Sequence, residues 1–109
     1  MNFQHQENAS EKWSKLTLAE QMANIGSEVF RAISSRERND EKSAKLAFER
    51  ALELFDLTLQ DPKNHRRTRE VARARETFVD YFEYENQYDQ DKDSINNYFY
   101  NFNYLARGV

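Results

Sequence analysis

The stretch Ser43-Ala-Lys-Leu-Ala-Phe-Glu-Arg-Ala-Leu-Glu-Leu-Phe-Asp-Leu-Thr-Leu59 constrains this chain more than any other part of it. Wound at about 100° per residue, it gathers Ala44, Ala47, Phe48, Ala51, Leu52, Leu54, Phe55, Thr58 and Leu59 in one wide sector. Lys45, Glu49, Glu53, Asp56 and Gln60 share the opposite sector, while Leu46 and Leu57 fall beside Arg50 on a flank. A helix with an apolar face and an extra apolar edge needs more than one neighbour. It is expected to be the central helix of a small all-helical domain.

The rest of the chain agrees with that class. Two glycines and one proline in 109 residues are too few for a turn-rich β fold, and Ala, Leu, Glu, Arg and Lys dominate the first three quarters. Residues 1–14 are polar and aperiodic apart from Phe3 and Trp13, so a flexible N-terminal segment is expected, with Trp13 docking on the domain. Thr17-Leu-Ala-Glu20 has the form of a capping box. A first helix then runs to about Arg36 on the stripe Leu18, Met22, Ile25, Val29 and Ile33. Gly26 sits inside it, at a cost of ~1 kcal/mol against Ala, which points to the close approach of a neighbouring helix. Asn39 or Asp40 caps the central helix, which ends at Gln60-Asp61-Pro62. A third helix over about Arg66–Tyr84 carries Val71, Ala74, Phe78 and Phe82, flanked by Val79 and Tyr81.

An acidic loop, 85–93, leads to a cap at Asp91 or Asp93. A fourth helix follows over about Ser94–Arg107, with Ile95, Tyr98, Phe99, Phe102, Leu105 and Ala106 on one side. Tyr98, Tyr100, Phe102 and Tyr104 alternate with polar residues as a strand would, but Phe99, Leu105 and Ala106 break the alternation. The expected fold is all-α: an up-and-down antiparallel four-helix bundle over 15–109, one domain, behind a short frayed N-terminal segment.

Several chemistries are excluded at this level. There is no cysteine, and the two histidines, His5 and His65, are far apart, which removes thiolate and histidine-rich metal sites. A net charge of −3 describes an ordinary surface and not a whole-molecule basic footprint. No apolar run approaches the ~18 residues of a membrane span, and the N-terminus lacks a signal layout, so a cytoplasmic location is expected.

Four groups of residues remain as candidates. Arg75 lies four residues after Val71, inside the apolar stripe of the third helix, with Glu28 and Asp56 as possible partners in a polar cluster. Arg66, Arg67, Arg69, Arg73 and Arg75 fall within ten residues; Arg66, Arg69 and Arg73 share an outer face able to meet phosphate, although Glu70 and Glu76 intersperse it. Glu53 and Asp56 stand at i, i+3, a spacing that Mg²⁺-binding helices use. Finally, residues 78–104 hold ten of the 15 aromatics. A helical phase buries Tyr98, Phe99 and Phe102 there, and leaves Tyr100 and Tyr104 outside as interface residues, with Leu46 and Leu57 a second uncovered patch.

Three resemblances bear on these candidates. Glu53-Leu-Phe-Asp56, with Glu37-Arg-Asn-Asp40 upstream, resembles the carboxylate pattern of all-helical nucleotide pyrophosphohydrolases of the MazG type, which implies a metal-dependent hydrolase; that family's first motif is ExxE, which this chain lacks. The segments Leu18–Val29, Ala47–Thr58 with Asp61-Pro62, and Arg73-Ala-Arg-Glu76 with Asp80-Tyr-Phe82 resemble a family of short uncharacterised helical proteins of bacteria and archaea, to which no activity is attached. The architecture is similar to HEPN-type bundles, implying a partner protein linked to nucleotides or nucleic acid, but the Arg-then-His pair of the ribonuclease members is missing around His65. Without a catalytic signature, the sequence is read as a non-enzymatic interaction module needing no cofactor, with itself or another protein as partner.

Overall fold

The computed structural model describes residues 8–84, 86 and 90–106, Tyr104 by its backbone alone. Five α-helices follow one another, α1 (Ala9–Ser14), α2 (Leu18–Glu37), α3 (Glu41–Gln60), α4 (Thr68–Glu83) and α5 (Lys92–Ala106), with a 3-10 helix (Pro62–Arg67) between α3 and α4. The fold is all-α, and no strand occurs among the described residues. The alternation around Tyr98–Tyr104 belongs to a helix, since Ile95, Phe99 and Phe102 recur at helical spacing and all three are buried.

The caps read from the sequence stop and start these helices. Thr17 accepts from the Glu20 N–H (3.1 Å) while Glu20 accepts from the Thr17 N–H (2.9 Å), closing the capping box of α2. At the other end Asn39 adopts φ 61°, the left-handed conformation that asparagine tolerates better than most residues. The Asn39 N–H reaches the Arg36 carbonyl and the Asp40 N–H the Ser35 carbonyl, both at 2.9 Å, a Schellman closure. Asp40 then accepts from the Ser43 N–H (3.1 Å) and begins α3. Hydrogen bonds from the Ser43 side chain and N–H hold the Asp40 carboxyl below its ordinary range. Two helices are thereby joined within three residues, and they pack along their length.

α3 has the several neighbours its wide apolar face demanded: α2, α4 and α1. Ala47, Ala51 and Phe55 are buried, but Leu52 and Leu59 are only partly so. Leu46 is 61% exposed, whereas Leu57, expected on the same bare flank, packs partly against the core. α4 lies on α3 through stacked rings, Phe48 over Phe82 at 4.7 Å and Phe48 beside Phe78 at 5.4 Å. It has no basic residue in its own last turn, so α2 supplies one. Arg36 donates to the Phe82 carbonyl (2.8 Å) and covers the Phe82 ring at 4.3 Å, meeting the negative end of the α4 dipole.

α5 rests on α2. A Cβ added at Gly26 would stand 2.6 Å from the Phe99 Cβ, so the glycine is what lets these backbones approach. Glu37 at the end of α2 meets Lys92 at the start of α5 (2.7 Å), and Gly26 meets Phe99, so the two helices run in opposite directions.

Two expectations are corrected here. Ala9–Ser14 is helical, capped by the Asn8 side chain on the Glu11 N–H (2.8 Å), where a flexible segment over 1–14 with Trp13 docked was expected; residues 1–7 of that segment lie outside the described residues. Six residues are too short to display a period; tertiary docking through Trp13 holds them. The third helix also starts later than Arg66, because Pro62 opens a 3-10 turn that carries Lys63–Arg67 before α4 begins. No helix among the described residues is long and apolar enough to cross a membrane.

Candidate functional site

The carboxylates singled out for chemistry, and Arg75 with them, are dispersed into separate pairs and one helix cap. Arg75 donates to Asp56 at 3.1 Å, with the two side chains 32% and 50% exposed, so the pair sits at the edge of the core and not inside it. Glu28 is bonded instead to Arg31 on its own helix, so the predicted cluster of Glu28, Asp56 and Arg75 reduces to the last two. Glu53 pairs with Arg50 at 3.2 Å. Glu37 closes α2 on Lys92, and Asp40 is a helix cap. Every carboxylate of the pyrophosphohydrolase-like pattern therefore meets a cation or a backbone N–H. Among the described residues, no three His, Asp or Glu side chains converge as a metal ion would require.

Arg66, Arg69 and Arg73 do share one shallow concave surface, together with Arg67, Glu70 and Glu76. Arg67 is tied to Glu70 there (Nε–Oε2 2.9 Å). Arg66 and Arg67 end the 3-10 helix, and no side chain caps the start of α4.

The aromatic face takes a more definite form than the sequence suggested. Between α2 and α5 runs a groove of about 520 Å³ with Gly26 and Phe99 among its lining residues. Phe30 on α2 and Tyr100 on α5 also line it, 58% and 56% exposed. Arg31, Arg38, Asn96 and Asn97 supply polar edges, and the Asn96 Oδ1 is buried with no hydrogen-bond partner among the described residues. Phe30 was not anticipated, although its position one residue past Val29 puts it off the α2 stripe. Tyr98 was expected to be buried and is 38% exposed: α5 is turned so that Ile95, Phe99 and Phe102 make its inner line, and Tyr98 falls at the edge. The Tyr104 side chain lies outside the described residues.

A buried polar junction at the opposite region was missed altogether. The Trp13 indole N–H donates to the Thr58 hydroxyl (2.8 Å), which donates to the Leu54 carbonyl (2.8 Å). The Gln21 amide donates to the Trp13 carbonyl and to Asp61, both at 2.9 Å, and accepts from the Asn64 amide at 2.8 Å. Asn64 also donates to the Thr58 carbonyl (2.9 Å), and Lys63 binds Asp61. Burial pulls the Asp61 carboxyl upward, but hydrogen bonds from the Lys63 ammonium, Gln21 and the Lys63 N–H outweigh it and set it below the ordinary range. One signal was available: Gln21, between Leu18 and Met22, is a polar residue on the buried stripe of α2.

Comparison of the chain with protein-family models, with curated proteins and with solved structures returned no match in any of the three.

Proposed function

We propose that this protein is a non-enzymatic interaction module, an up-and-down bundle of the four longer helices α2–α5, that associates with a second copy of itself through the α2–α5 groove. The carrying observation is the pair Phe30 and Tyr100, two large aromatic side chains more than half exposed on one groove. Aromatic anchors in such a setting cover area while freezing few rotors. Symmetric pairing is the commonest way to cover a surface of this kind. The net charge of −3 opposes it weakly, so a dissociation constant of tens of micromolar, roughly 6 kcal/mol, is expected.

Sedimentation equilibrium tests this reading. The wild type should dimerise, and Phe30→Ser/Tyr100→Ser should be monomeric. A wild type that stays monomeric at high concentration removes it, and a dimer indifferent to the double substitution moves the interface to the Leu46 side. A second reading, an anionic partner such as single-stranded nucleic acid, draws on the shared concave surface of Arg66, Arg69 and Arg73. It predicts binding that weakens steeply with salt and with loss of Arg66 and Arg69.

A further inference from the structure

α4 and α5 are fastened to different partners. Phe78 of α4 packs on Phe48 and Phe55 of α3, with ring centroids 5.4 and 6.5 Å apart, while Phe99 of α5 seats against Gly26 of α2. The described parts of the two helices do not pack along one another, and a cleft of about 410 Å³ opens between them. Its floor is Ala74, Phe78, Ile95 and Phe99, each less than a tenth exposed. Tyr98 borders it, its ring edge-to-face with Phe99 at 86° and centroids 5.1 Å apart.

We propose that this cleft binds an uncharged, flat, mostly apolar small molecule of roughly a dozen non-hydrogen atoms, at ~30 Å³ for each water-sized atom. Size argues against a helical peptide, since a single α-helical turn, ~10 Å wide and ~5.4 Å long, already takes about this volume. Charge is argued against by the rim, whose polar groups already have partners, Arg73, the cation among the lining residues, included. Glu70 is held by Arg67, Ser94 gives its N–H to Asp91 (2.8 Å), and the Thr77 hydroxyl donates to the Arg73 carbonyl (2.8 Å). A charged ligand would enter the apolar floor without an uncommitted counter-ion. A flat ring system is favoured because Tyr98, Phe78 and Phe99 line the cleft together, aromatic surfaces that a ring can lie on or meet by its edge. Burial, then the nearby Glu70 charge, pushes the Tyr98 hydroxyl above its ordinary range, so it stays a proton donor for a single acceptor on that edge.

This face is not the one assigned above to association, so the two readings fail separately. The test titrates the ¹⁵N-labelled full chain with quinoline, uncharged near neutral pH and bearing one acceptor nitrogen, and with naphthalene-1-sulfonate, a charged molecule of the same ring outline. Quinoline should give saturable shifts confined to the amides of Ala74, Thr77, Ile95 and Tyr98, half-complete below about a millimolar, with the sulfonate about tenfold weaker. Ala74→Leu, which fills the floor, should abolish the shifts, and Tyr98→Phe, at a partly exposed position that leaves the core untouched, should weaken quinoline several-fold. Absence of saturable shifts at these amides, shifts centred on Phe30 and Tyr100 instead, tighter binding of the sulfonate, or a Tyr98→Phe variant that binds as wild type would each overturn the proposal.

Discussion

The two ends of α2 meet the rest of the chain in opposite ways. Near its start, Gln21 is 0% exposed and joins Trp13, Asp61 and Asn64 in a network whose hydrogen bonds are made inside the molecule. On either side of its middle, Gly26 and Phe30 face a groove where aromatic rings meet solvent and a buried Asn96 oxygen lacks a donor among the described residues. A polar group that is buried and satisfied rigidifies a fold and specifies its register. An apolar group left outside adds nothing to the fold of one chain. The first region is therefore read as a device for folding and the second as a surface for use.

Substitutions can break or sharpen that contrast. The largest effect belongs to Phe55, 0% exposed and in ring contact with Phe78 of α4 and Phe99 of α5, because it joins both helices to α3 in the core. Phe55→Ala should cost ~3–5 kcal/mol in chemical denaturation. Leu52, only partly buried, should cost less than its place in the apolar sector suggested. Gln21→Leu keeps the volume but strips partners from Asn64, Asp61 and the Trp13 carbonyl, and ~2–3 kcal/mol should be lost; a neutral result would show that the junction is not a stabilising network. Gly26→Ala gains ~1 kcal/mol of helix propensity but drives a methyl into the Phe99 Cβ, which cannot swing away, so a net loss of ~1–2 kcal/mol is expected. Against these, Phe30→Ser/Tyr100→Ser should leave monomer stability within about 0.5 kcal/mol, as should Arg75→Ala, whose partner Asp56 is half exposed.

The junction should also carry a pH signature. The Asp61 carboxyl is depressed in the folded chain, so its contribution is complete above the ordinary carboxylate range and is lost as pH falls through the lowered value. Asp61→Asn should flatten stability across that acid window, while the groove variant should keep the wild-type slope.

Much of the architecture was legible because it rests on short-range chemistry. The capping box at Thr17 and Glu20, the caps at Asp40 and Asp91 and the wide face of α3 all depend on residues within one or two turns of each other. Gly26 could be read as a contact because a glycine inside a helix has a cost that something must offset. What was not legible depends on docking. The six residues of α1 are helical because Trp13 finds Thr58, 45 positions away. Arg75 was expected inside a stripe by phase, yet it lies at the edge of the core in a partly solvated pair with Asp56. The groove and the cleft are spaces between helices, and spacing along one helix carries no record of them. Gln21 could have been noticed as a polar residue among apolar ones, but its partners at Asp61 and Asn64 could not.

Amide chemical shifts followed from tens of micromolar to about a millimolar protein test the division most directly. Association through the groove predicts that Phe30, Arg31, Asn97 and Tyr100 shift or broaden with concentration, while Gln21, Thr58 and Asn64 stay fixed. Spectra that superimpose at every concentration, or changes centred on the junction, would contradict it.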